Sequence, residues 1–416
     1  MATCKGADIV NSTLQIQDIL HWGKDWKHSI GNILFWFFLL VVMVDPTNNL
    51  FHAKNIVFIV LCGYNIIVFK PDFSKLPYIL ILIISISVPW IFSQMSMTYI
   101  DPDEALAVFK SISPSILLLW IREYNIVRLS KAPVIICSVI MFIIFTIVLI
   151  YPQLEYPFYQ VMESLDEPIF VAWRQFLGIT ILGMYLPSCV SFVFVIAFYM
   201  YCLFNGEYRT KKRIFYLIII CTYMAFMSGT RSSMLVSFYL LCLAGYVSLN
   251  NQRYKNIIMC ILFIIGILFV MLILALILET DEASNSVKYG HIISYKELFD
   301  AHPEYMIFGQ GPGNRFFSEG FNRIVVKTEW SYLELLRCYG IMGLGVVYVF
   351  WHPLFEIYKS SKDQFSKCVC GAYLAYLFIA GTNPLMLSST GMAVLLMAYS
   401  YIEMIKKEQP TKSIPI

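Results

Sequence analysis

The chain has 416 residues, 59% of them hydrophobic and 14% charged, with a mean hydropathy of +0.69 and a formal net charge of +3. Soluble globular proteins carry roughly a quarter charged residues, so water is excluded as the main solvent. No polar block is long enough to build a soluble core, which predicts one integral membrane domain over 1–416.

In chain order, the first 27 residues contain Lys5, Asp8, Asp18, Lys24 and Asp25 and no apolar core before Ile30, so no cleavable signal peptide is expected. Apolar runs then predict an all-α, polytopic protein with about twelve membrane-crossing helices. The first six lie near Ile30–Val44, Asn55–Phe69, Leu76–Phe92, Ala105–Ile121, Ala132–Tyr151 and Leu177–Phe204. Six more lie near Ile214–Met227, Ser233–Leu249, Ile257–Leu278, Tyr332–Phe355, Cys368–Ala380 and Thr390–Ile405. Several approach the roughly 20 residues that span a hydrocarbon core of about 30 Å. Lys110, Ser111, Ser113 and Pro114 interrupt the fourth.

Cations are retained on the cytoplasmic side of a membrane. With both termini inside, 20 of the 30 Lys and Arg residues fall in the inner connections, among them Lys75, Arg122, Arg128, Lys131 and Lys211–Arg213. Two long connections, 152–176 and 279–331, then face outward, and long ordered loops tend to carry function. The cysteines sit mostly within apolar runs and read as small core residues rather than a disulfide framework.

The main chemical signal is arginine on the side where the charge rule disfavours it. Arg174 closes the first long loop, Arg231 sits in Ser228-Gly229-Thr230-Arg231-Ser232-Ser233, and Arg315, Arg323 and Lys327 lie in the second long loop. Guanidinium forks match phosphate and keep their charge at a partly dry site, so this set points to an anion. The bland alternative is a set of interfacial cations pairing with Asp166, Glu163 or Glu319. Arg231 is the hardest to dismiss, since it lies between two apolar spans.

Around Arg231, hydroxyls and backbone amides can close on phosphate oxygens, although a plain tight turn has the same composition. Phe308-Gly309-Gln310-Gly311-Pro312-Gly313-Asn314-Arg315 permits close backbone approach to a ligand or makes a sharp turn. It lacks the Lys-Ser/Thr ending of a P-loop and the strand of a dinucleotide fingerprint. Glu329 stands where the loop meets the membrane, as a desolvated general base or as an acid at a helix amino terminus. Glu334 and Arg337 read as a mutual pair on one helix surface. No histidine spacing suggests a metal, and neither metal nor cofactor is expected.

At these residues the sequence resembles the O-antigen polymerase and ligase superfamily. The Ser228–Ser233 hairpin resembles that superfamily's Ser/Thr-Gly-Ser/Thr-Arg-Ser turn, and Phe308–Gly313 is similar to the glycine-rich segment of its large periplasmic loop. Glu329 through Gly340 resembles its segment in which a charged residue precedes, by ten intervening positions, a glycine heading a late helix. Ligases typically carry histidine where this chain has Glu329, and Glu-x-Ser-Tyr-Leu-Glu is closer to the polymerase (Wzy) branch. Arg174 corresponds by location only, since position 185 is Tyr where the pattern would have glycine.

The resemblance implies a metal-independent glycosyltransferase of the bacterial inner membrane, with its site facing the periplasm. Its substrates would be undecaprenyl-pyrophosphate-linked oligosaccharides, with membrane lipid and a chain-length regulator as partners and no nucleic acid. Glu329, Arg231 and Arg315 are the expected catalytic residues, with Arg174, Arg323, Lys327, Trp330 and Tyr332 binding substrate. O-antigen ligase and a lipid-linked oligosaccharide flippase are the competing readings. A carrier should show repeat-related halves and charges at the midplane.

Overall fold

The computed structural model describes residues 26–95, 101–165, 169–176, 179–205, 211–249, 283–360, 363–381, 383 and 385–408, with single positions between 253 and 264. The side chains of 174–176, 179–181, 231 and 283–285 are outside that description. About 80% of the described residues are helical. Among the described residues, six segments are long and apolar enough to cross a membrane, which makes this a membrane protein: Trp26–Val44, Phe73–Met95, Pro102–Glu123, Ile126–Ile150, Pro187–Asn205 and Ser331–Ser360. Lys54–Val68 and Ser232–Ser248 are shorter apolar helices. The ninth expected span, Ile257–Leu278, lies almost wholly outside the described residues.

We label the helices α1 (Trp26–Val44), α2 (Lys54–Val68), α3 (Leu76–Met95), α4 (Pro102–Ile112), α5 (Ile126–Leu129), α6 (Lys131–Ile150), α7 (Glu155–Ser164) and α8 (Val193–Asn205). There follow α9 (Lys211–Thr222), α10 (Arg231–Ser248), α11 (Ala283–Ala301), α12 (Tyr305–Phe308), α13 (Ser331–Tyr339), α14 (Gly343–Ser360), α15 (Gln364–Gly381) and α16 (Ser389–Glu408). Two antiparallel hairpins interrupt them, β1 (Phe170–Phe176) with β2 (Ile179–Tyr185), and β3 (Phe316–Ser318) with β4 (Arg323–Val325).

Three expected spans are broken. The fourth changes at Ser113 into a 3-10 helix reaching Glu123, because Pro114 has no N–H to continue an α ladder. The sixth begins as strand β2 and becomes helical only after Pro187, through a 3-10 turn over Pro187–Phe192. Its first half, Ile-Thr-Ile-Leu, is β-branched and short, and apolar periodicity alone does not separate such a run from a helix. The tenth breaks at Gly340, whose φ of 53° and ψ of −141° end α13 and restart the chain as α14.

The bundle has two chemically different ends. At one, Lys75 meets Glu403 at 2.6 Å, and Glu403 also accepts from Arg122 at 2.8 Å. Arg122 reaches Asp72 at 2.9 Å, and Lys407 donates to the Arg122 carbonyl at 2.6 Å. At the opposite end the Met43 carbonyl, closing α1, accepts from Ser188 at 2.5 Å. There the Tyr223 hydroxyl joins the end of α9 to the hairpin, accepting from the Leu186 amide at 3.0 Å and donating to the Met184 carbonyl at 3.2 Å. Ser331, heading α13, donates to the Asn383 carbonyl just beyond α15. The Ser228–Ser233 hairpin, the β1–β2 hairpin and the start of α13 therefore share the end remote from the Lys75–Glu403–Arg122 cluster.

Candidate functional site

The second long connection, 279–331, folds into α11, α12 and the β3–β4 hairpin, gathered over the head of α13. Its centre is Arg337, which is 0% exposed. All five guanidinium N–H groups have acceptors. Nε and Nη2 donate to Glu334 at 3.0 and 2.8 Å, Nη2 to the Val326 carbonyl at 2.6 Å, and Nη1 to Gln310 Oε1 at 2.5 Å and the Asn314 carbonyl at 3.2 Å. The ring of Phe316 lies 4.4 Å from the guanidinium. Glu334 is engaged as fully, since its Oε1 accepts from the Tyr295 hydroxyl and the Thr328 amide, each at 2.8 Å. Burial, reinforced by that carboxylate, pushes the Tyr295 phenol up. The pair expected on a helix surface is thus the buried clasp of the site.

The glycine-rich segment also has a definite use. The amides of Gln310 and Gly311 donate to the carbonyls of Arg337 at 2.6 Å and Cys338 at 2.9 Å. These are the carbonyls that the end of a helix leaves unmatched. Gly309 (φ 75°) and Gly340 (φ 53°) lie back to back, and a Cβ on Gly340 would stand 2.6 Å from the Gly309 nitrogen. Asn314 donates to Ser93 at 2.8 Å, which ties the segment to α3. At least two of these amides are therefore committed to capping α13.

The expected cations divide. Arg315 pairs with Asp101 at 2.9 Å and Lys327 with Glu104 at 2.8 Å, both acids at the head of α4. The hydrogen bond from Arg315 holds the Asp101 carboxyl below its ordinary value. Both cations stay about half exposed, at 48% and 52%. Exposed pairs of this kind are screened by water and salt and are weak. Arg323 is exposed on β4, its guanidinium 5.6 Å from the Phe321 ring.

Glu329 sits beside a cation that sequence reading left out of the site, Lys288 on α11, at 3.6 Å. Trp330 locks that neighbour in place, its indole donating to the Lys288 carbonyl at 3.2 Å. Tyr332 turns into the bundle, where its hydroxyl donates to the Leu377 carbonyl at 3.3 Å and accepts from Trp351 at 3.2 Å. The backbone of Arg231 is the first residue of α10, after Gly229 at φ 62°. The hairpin hydroxyls bond one another and the preceding helix: Thr230 donates to Ser233 at 2.6 Å and Ser228 to the Met224 carbonyl at 2.9 Å. Arg174 is on β1, opposite Ile181. The side chains of Arg174 and Arg231 lie outside the described residues.

His291, on α11, was scattered among the histidines in sequence. It is fully buried, its Nδ1 2.8 Å from the Ser318 hydroxyl and its ring edge-on to Phe321 at 4.5 Å. Gly290 and Gly320 allow this close crossing, a Cβ on Gly290 standing 2.5 Å from the Gly320 nitrogen. Burial pushes the ring below its ordinary 6.5, and Lys288 adds to this against the opposing pull of Glu329 and Glu334. The unfolded chain binds the proton more readily, so the stability contributed here is complete above 6.5 and drains as pH falls through that value. The thermal midpoint is expected to drop by on the order of 2 °C between about pH 7 and pH 5.5, and His291→Asn should flatten that slope. An unchanged slope in the variant would assign the acid sensitivity elsewhere.

Among the described residues, no three side chains of metal-ligating type converge. No family model matches the chain, and no curated protein or solved structure resembles it at a significant level.

Proposed function

We propose that this protein is an O-antigen polymerase, a metal-independent transferase of glycans carried on undecaprenyl pyrophosphate in the bacterial inner membrane. The observation that supports the reading is that Arg231 at the head of α10, half-exposed Arg315 and Lys327, and Glu329 beside Trp330 all lie toward the end remote from the Lys75–Glu403–Arg122 cluster. By the charge rule the Lys75–Arg122 end is cytoplasmic, which gives this group a periplasmic aspect. Lipid-linked repeat units would be presented there, and a chain-length regulator would act from the same side.

In the proposed reaction, a hydroxyl of the incoming repeat unit attacks the anomeric carbon of the growing glycan. The anomeric C–O bond to pyrophosphate breaks, and the bonding electrons leave with the pyrophosphate. Arg231 and Arg315 meet that charge, with Arg174, Arg323 and Lys327 holding the phosphates, because fixed cations need no reorganisation as charge develops. Glu329 takes the hydroxyl proton or orients the acceptor, and Trp330 lines the sugar's approach, while Tyr332, expected from sequence to bind sugar, turns into the bundle and instead braces α13 against α15.

The test is the glycan ladder of the native host after deletion of the gene, with the parent or Arg231→Ala restored. Deletion should leave single repeat units on the lipid core and no long chains. Arg231→Ala should make at least about 100-fold less polymer, the scale of losing one transition-state donor. Unchanged polymer length and yield would refute the role of Arg231. A core without any repeat unit would point to the ligase or flippase reading.

A further inference from the structure

Lys288, His291 and Tyr295 follow one another at helical spacing and share one face of α11. The outer two are bonded to the head of α13. The Lys288 carbonyl accepts from the Trp330 indole at 3.2 Å and its ammonium stands 3.6 Å from Glu329, while the Tyr295 hydroxyl donates to Glu334 at 2.8 Å. His291, between them, meets the β3–β4 hairpin, its Nδ1 2.8 Å from the Ser318 hydroxyl, whose oxygen also accepts from the Phe321 amide at 3.2 Å. Ser294 accepts from the Glu319 amide at 2.7 Å, beside the close crossing of Gly290 and Gly320. The helix is therefore a strut between the hairpin and the residues of the proposed chemistry.

The seat of His291 suits a neutral ring and not a charged one. The ring is 0% exposed, and among the described residues its Nε2 has no hydrogen-bond partner. A second proton creates a buried charge and an N–H with no acceptor, which is relieved when the structure opens around it. The carboxylates whose charge reaches the ring already have cations of their own, Glu334 being held by Arg337 at 2.8 Å and Glu329 by Lys288. Lys288 itself repels a protonated ring. On the hairpin side Glu319 is exposed next to Ser318, and Arg323 lies 5.6 Å from the Phe321 ring.

We propose that His291 is a positioning residue for the transferase site: neutral, it seats α11 between the hairpin and the head of α13 and so holds Glu329 and Trp330, and its protonation unseats the helix and sets the acid limit of the activity. The role in activity rests on the polymerase reading, whereas the seating of α11 does not. Because the folded ring binds its proton less readily than a free one, the loosening begins as pH falls through 6.5.

The full chain in lipid nanodiscs is followed from about pH 7.5 down to about pH 5 in two ways, by the rate at which it polymerises lipid-linked repeat units and by amide exchange, expressed as protection relative to the intrinsic rate at each pH. In the parent, protection of α11 and of Thr328–Glu334 should fall on acidification while that of α16 holds, with about tenfold per pH unit as the ceiling for one proton. The polymerisation rate should fall in step. In His291→Asn both acid responses should be lost, and if that variant does not fold, the contrast between α11 and α16 in the parent decides. The proposal is overturned if α11 protection in the parent ignores pH, if His291→Asn follows the parent, as it would were Glu329 itself the titrating group, or if α11 loosens while the polymerisation rate stays level. A parent that makes no polymer at any pH sinks the polymerase reading and the positioning role with it, while the exchange still shows whether His291 seats α11.

Discussion

Replacing Arg337 with methionine is expected to cost about 3–5 kcal/mol, the range for removing one member of a buried ion pair, and to leave little folded protein. The loss strands the Glu334 carboxylate together with Gln310 Oε1 and the carbonyls of Asn314 and Val326, all of which depend on that guanidinium. Arg337→Lys should recover only part of the deficit, since a point charge on a flexible stem does not serve acceptors on three segments at once. Glu334→Gln combined with Arg337→Met should be less damaging than Arg337→Met alone, because no buried charge then lacks a partner. Fluorescence-detected size-exclusion midpoints check the series. A single Arg337→Met variant as stable as the parent would mean that the outer segment is not built on this clasp.

Gly340→Ala should be nearly as damaging, costing at least about 2 kcal/mol from backbone strain and overlap together. Its φ of 53° with ψ of −141° disfavours any L side chain, and the new Cβ would meet the Ile307 carbonyl and the Gly309 nitrogen. These are backbone atoms and have no rotamer to yield. Gly63 in α2 is the contrasting case, with nothing within 4 Å of a Cβ placed there. Gly63→Ala should therefore be neutral or stabilising by about 0.5–1 kcal/mol, the usual gain of alanine over glycine in a helix. Equal effects at the two positions would show that the Gly309–Gly340 contact does not matter.

Much of the helical frame was legible because apolar length and charge placement are local signals. The expected edges at Leu76 and Ala132 fall within a residue of α3 and α6. The start of β2 was hidden inside an apolar run, since short buried strands and buried helices share that composition. Within the site, Glu329 and Trp330 were visible as a polar cluster at the head of a helix, but Lys288 was not, because nothing at 288 marks it as their neighbour. The acids paired with Arg315 and Lys327 lie 214 and 223 residues away in sequence, and no periodicity reports such a separation. Arg337 offered a sharper signal that went unused. A charge in an apolar span needs a strong reason to be there, and a surface pair with Glu334 was too weak a reason.

The cluster at the Lys75–Arg122 end has a consequence in time. Arg122 bonds to Glu403, which follows it by 281 residues. At synthesis rates of about 5–20 residues per second, Arg122 and Lys75 wait from roughly a quarter of a minute to a minute for their carboxylate to be made. Until then only one of the cluster's three ion pairs, Arg122 with Asp72, can form. The last helix thus completes the cluster, and chains truncated before Glu403 should be less stable than the parent even though every preceding span is already written.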